Sequence, residues 1–178
     1  MQGLADFAQQ LALIFAVLLP TFLYCSAIGL FLIAGWGLWQ QAQPHNPFRE
    51  RPWIPWLALL MSGFCASFPT IINKVNISGG SAVTMSVVAG LTSYAPINTT
   101  DILGATPGDT VLNIVALFLG FFQVFGAMFC YLAAMGWRAA VSGRSNRQWS
   151  GCGVQFVFGV LLMNIYTISQ WLVGIFQA

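Results

Sequence analysis

The side chains able to do acid–base, nucleophilic or metal chemistry are few and scattered. One histidine, His45, stands in Pro44-His45-Asn46-Pro47. A metal site needs several ligands at matched spacing, and there is no second histidine to join it, so an interfacial loop position is expected. Cys25, Cys65, Cys130 and Cys152 are isolated, with no Cys-x-x-Cys. They read as small apolar residues within or at the start of helices, and their disulfide state is left open by spacing alone. Asp101 and Asp109 are eight apart in a loop and form no catalytic pair. No phosphate cradle, dinucleotide fingerprint or nucleophile elbow occurs. An enzyme is not expected, nor a metal or organic cofactor.

The concentrated chemical feature is positive charge. Arg49 and Arg51 lie in one short segment and Arg138, Arg144 and Arg147 in another, together five of the six cations. Such clusters serve to set the direction in which the chain crosses a membrane; the sharper reading is contact with anionic lipid head groups, each cation contributing about 1 kcal/mol near such a surface. In a ring or tube of many copies they would form a basic collar, felt by passing nucleic acid through its phosphates without base reading. Bound phospholipid is therefore the one non-protein component admitted. The partners expected are membrane lipid, further copies of the chain, and nucleic acid only as transported cargo.

The elements that position these arginines follow from what lies between them. The chain has 178 residues, of which 58% are hydrophobic, 15% aromatic and 6% charged. A soluble domain averages about 25% charged residues, and disorder requires low hydrophobicity, so both classes are excluded. The charge-free gaps, one between Asp6 and Arg49 and the others Pro52–Asn73, Val111–Trp137 and Gln148–Ala178, each accommodate a membrane-spanning helix of about 20 residues. The spans expected are Leu11–Trp39, Trp53–Ile72, Val111–Met135 and Val154–Phe176. Pro20 is expected to kink the first unless the helix starts there, Pro52 and Pro55 to open the second, Pro69 to end or kink it, and Asp109 or Thr110 to cap the third. Trp36, Trp39, Trp53, Trp56, Trp137 and Trp149 fall at span ends, where interfacial Trp belongs.

The fold class expected is all-α and integral to the membrane: four transmembrane helices arranged as two hairpins with basic cytoplasmic connectors. Residues 1–73 form the first hairpin, 74–110 an extracytoplasmic segment and 111–178 the second hairpin. Arg and Lys are retained in the cytoplasm, which puts both termini in the periplasm. The first ten residues carry no Lys or Arg, unlike the start of a signal peptide. Within the spans no ionisable group is expected. Helix contact falls instead to small or amide residues: Ser62/Ala66, Gly63/Ser67 and Gly126/Cys130 at four-residue spacing, with Gly120, Gly159 and Asn164. The hairpins echo one another, since Gly63 lies ten residues past Trp53 and Gly159 ten past Trp149. Both halves would run in the same sense, a parallel repeat.

In the carboxy-terminal half, Gly120-Phe121-Phe122-Gln123-Val124-Phe125-Gly126 is followed by Gly136-Trp137, a Gly/Ser/Arg connector, and Gly151-Cys152-Gly153-Val154-Gln155-Phe156-Val157-Phe158-Gly159 running on to Asn164-Ile165. Over about residues 112–178 this resembles the small polytopic inner-membrane proteins of type IVB secretion and IncI-type conjugation systems, the IcmC/DotE and TraQ group. The matching positions are Gly151, Gly153, Gly159, Asn164 and Ile165; the first hairpin matches by topology alone. The resemblance implies a non-enzymatic structural subunit of the bacterial inner membrane, in a machine that transfers DNA or protein between cells, with other secretion or conjugation subunits as partners. A variant is a conjugative pilin, assembling with phospholipid into an extracellular pilus tube whose basic loops face the lumen. The reading from another class is a small membrane transporter or channel. Its mark would be a charge inside the membrane or a discontinuous helix pair.

Overall fold

In the computed structural model, residues 2–79, 87–88, 91–92, 107–146 and 148–177 are described. Among the described residues the regular structure is helical apart from a two-residue antiparallel pairing, with Val87 opposite Thr92 and Val88 opposite Leu91. In chain order the helices are α1 (Gln2–Gln41), α2 (Ile54–Ala66), α3 (Phe68–Ser78), α4 (Pro107–Leu117), α5 (Leu119–Val141), α6 (Trp149–Met163) and α7 (Ile165–Gln177). The stretches Gln10–Gln41 and Leu119–Val141 are long and apolar enough to cross a membrane, and the bent pairs α2/α3 and α6/α7 raise the number to four if each pair is one span.

Helix α1 shows why these helices associate. Its buried stripe is Ala8, Ala12, Ala16, Leu19, Leu23, Ala27, Leu30 and Ala34, spaced by three and four residues as one helix face requires. Small residues dominate that stripe and let backbones approach closely, while Phe7, Ile14, Phe22, Ile28, Phe31 and Leu32 point outward. Small inside and bulky outside is the packing order of a helix whose solvent is lipid. The helix runs unbroken through the buried Pro20, and the Thr21 hydroxyl bonds the Val17 carbonyl beside it at 2.9 Å. Its 40 residues make about 60 Å, twice the hydrocarbon thickness of about 30 Å, so α1 extends well beyond one crossing.

Helix α2 packs antiparallel along α1. Pro55 fills the space beside Gly37, its Cγ 2.8 Å from where a Cβ would stand, and the Ser62 hydroxyl donates to the buried Ala27 carbonyl at 2.8 Å. Helices α5 and α6 are likewise antiparallel and pass closest at Gly126 and Gly159. A Cβ on Gly126 would stand 2.6 Å from the Gly159 carbonyl oxygen, and one on Gly159 2.7 Å from that of Gly126. Between the two pairs lies a core containing Leu19, Leu23, Met61, Cys65, Phe68, Ile72, Cys130, Tyr131 and Met163. Ser26 and Tyr131 share a hydroxyl–hydroxyl bond of 2.6 Å that ties α1 to α5.

Three expected spans are interrupted. The second breaks at Ser67 and the fourth at Asn164, and each pair bends by 73°. The break at Ser67 has a covalent cause: Pro69 occupies the first turn of α3, where its missing N–H costs nothing. At Asn164 no proline acts. The Asn164 side chain donates to the Val160 carbonyl at 2.9 Å, so a local side-chain bond competes with the helical ladder. The third span divides at Phe118, and its helix starts at Pro107, which places Asp109 in the first turn rather than at the cap. Charge also comes nearer the spans than expected. Helix α5 continues through Arg138 to Val141, and α3 carries Lys74 past the expected end at Ile72.

Candidate functional site

The connectors bring their arginines to one end of the bundle. Helix α5 ends in a tight cap: Gly143 N–H bonds the Ala140 carbonyl at 3.1 Å and Arg144 N–H the Ala139 carbonyl at 3.0 Å. This paired cap needs a left-handed residue at its turn, supplied by Gly143 at φ 74°. The space a side chain would take there holds the Arg51 guanidinium, whose Nη1 is 2.5 Å from the Cβ position. The first connector thus touches the second. Gln41 Nε2 donates to the Pro52 carbonyl at 2.6 Å, and Phe48 N–H to Asn46 Oδ1 at 2.8 Å, which stiffens the first loop. Arg49, Arg51 and Arg144 are exposed and Arg138 is half-buried, within electrostatic range of Arg144. Among the described residues these arginines make no salt bridge. Arg147 and Asp101 lie outside the described residues. His45 is exposed in the first connector.

The expected packing residues divide into two groups. Ser62, Gly120, Gly126, Gly159 and Asn164 are buried within the chain, whereas Gly63, Ala66 and Ser67 are exposed. Nothing among the described residues stands within 4 Å of a Cβ placed on Gly63, so the described residues leave this small-residue face of α2 uncovered. Cys65, Cys130 and Cys152 are buried, Cys25 is exposed, and all four are free thiols.

One site residue went unanticipated. Asn164 Nδ2 donates 3.0 Å to Asn76 Oδ1 in a buried amide pair, joining α3 to the α6/α7 break. The Asn164 Oδ1 is buried without a hydrogen-bond partner. Asn76 lies beyond the charge-free gap that ends at Asn73, and so falls by sequence in the 74–110 connecting segment. A buried amide in low dielectric bonds strongly and costs much when unpaired.

Grooves flank the basic end. One of about 430 Å³ runs between α2, α5 and α6, and another of about 600 Å³ along the outer face of α6; Trp137, Gly153 and Val157 line both. Their walls are apolar and their geometry suits hydrocarbon. No family model, curated protein or solved structure matches this chain.

Proposed function

We propose that the chain is a non-enzymatic structural subunit of a membrane-embedded conjugation or type IVB secretion apparatus. In this reading α1, α2/α3, α4/α5 and α6/α7 each cross the bilayer, the two connectors lie in the cytoplasm and both termini in the periplasm. The observation that carries it is a body apolar on its outside with arginine gathered at one end. Outward Phe, Leu, Ile and Trp side chains cover α1 and α6, and the Arg51–Gly143 contact joins both basic connectors. The uncovered small face at Gly63, Ala66 and Ser67 supports contact with further copies or other subunits, since small residues permit close helix approach. The likeness of residues 112–178 to the IcmC/DotE and TraQ group supplies the transfer apparatus.

Deleting the gene should abolish DNA or protein transfer between cells while growth and membrane integrity persist. Normal transfer in the deletion strain would refute the proposal. The pilin variant is excluded if purified pili consist mainly of another protein.

A second reading, a small transporter or channel, is favoured by one observation: two helix pairs bent by 73° at corresponding places. Ser67 lies fourteen residues past Trp53 and Asn164 fifteen past Trp149. Discontinuous helices in corresponding places of two halves are a pointer to a solute site, and the Asn76–Asn164 amide pair connects the two bent elements. Solute flux in proteoliposomes that disappears in Asn164→Leu would establish this reading; flux equal to protein-free vesicles would remove it.

A further inference from the structure

We infer that the paired grooves at the basic end hold one anionic phospholipid, its phosphate at Arg138 and Arg144 and its acyl chains in the grooves. The inference rests on the membrane-embedded reading and is independent of whether the chain serves transfer.

The grooves share Trp137, Gly153 and Val157 in their walls, so two apolar channels lie side by side, the arrangement two acyl chains of one lipid require. The outer groove follows α6 from Trp149 to Leu161, twelve residues or about 18 Å. One leaflet of the hydrocarbon core is about 15 Å, half of about 30 Å. The channel therefore has about the length of a single leaflet's chains.

The basic end selects the head group. Arg138 stands four residues beyond Ala134, a residue lining the inner groove, and so on the same helix face. It is half-buried and makes no salt bridge among the described residues, while Arg144 adds a second positive charge nearby. A half-buried cation with no carboxylate among the described residues favours an external anion, and a lipid phosphate arrives at this depth. A second copy of the chain is a poorer occupant, because it would bring its own arginines to the same end. A Cβ on Gly153 meets nothing within 4 Å, so the space there is open to a ligand.

The test uses the full chain in nanodiscs of phosphatidylglycerol mixed with phosphatidylcholine, released into mild detergent and examined by native mass spectrometry. Wild type should retain phosphatidylglycerol in preference. Arg138→Gln should reduce that retention about fivefold, the equivalent of about 1 kcal/mol, and Arg138→Lys should largely restore it. Gly153→Leu should displace lipid by filling the groove, whereas Gly151→Leu, also into open space on α6 but outside the grooves, should not; circular dichroism confirms that all variants are folded. Unchanged phosphatidylglycerol retention in Arg138→Gln and Gly153→Leu overturns the inference. So does a Gly153→Leu variant that loses chain–chain association while keeping its lipid, which would assign the groove to a second copy.

Discussion

At Gly126 and Gly159 two backbones touch where any other residue would place a methyl group. A Cβ on either would fall 2.6–2.7 Å from the opposite carbonyl oxygen, and backbone cannot swing aside as a flexible side chain can. Overpacking of this kind costs about 1–3 kcal/mol. Gly126→Ala and Gly159→Ala should each lower the thermal midpoint in detergent, while Gly63→Ala, facing open space, should leave it unchanged. The amide pair gives a second expectation. Asn164→Leu removes the buried bond to Asn76 Oδ1, a loss of about 0.5–1.5 kcal/mol. The Asn76→Leu/Asn164→Leu double variant should lose less than the two singles added together, and denaturation of all four proteins measures the coupling. The Gly126 contact was legible in the sequence as a small residue four before Cys130. The amide pair was not, because nothing in a single sequence shows that two asparagines 88 residues apart will meet.

Among the elements, charge-free gaps located the helices well because a charge inside lipid costs free energy wherever it falls. The breaks were less legible. Pro69 marked the one at Ser67, but those at Phe118 and Asn164 fall in continuous apolar sequence without proline, where hydropathy gives no signal. The alanine stripe of α1 has three- and four-residue spacing, but the remainder of the helix is equally apolar and hides it from the sequence. The cap of α5 offers an element-scale expectation. Gly143→Ala must hold a left-handed conformation costing roughly 1–2 kcal/mol and must displace the Arg51 guanidinium. It should therefore loosen both connectors together, seen as faster amide exchange at residues 41–54 as well as 139–146. Faster exchange confined to the second connector would mean that the Arg51 contact does not couple them.

For the molecule as a whole, large apolar side chains on the outside and small-residue contacts within the α1/α2 and α5/α6 pairs make a body suited to lipid and to neighbours. The two proposals divide over what the uncovered face of α2 and the two helix breaks are for. A structural subunit uses the face for neighbours and the bends for packing; a transporter works as a discrete unit and moves solute past the breaks. Leucine at Gly63 should leave the single chain stable and disrupt assembly. The measurement that decides most directly is the mass of the native particle, extracted from membranes that carry the complete apparatus, for wild type and Gly63→Leu. The structural account predicts a wild-type assembly of many copies, alone or with other apparatus subunits, that falls apart in Gly63→Leu. A wild-type particle no larger than one chain with its lipid and detergent would contradict it.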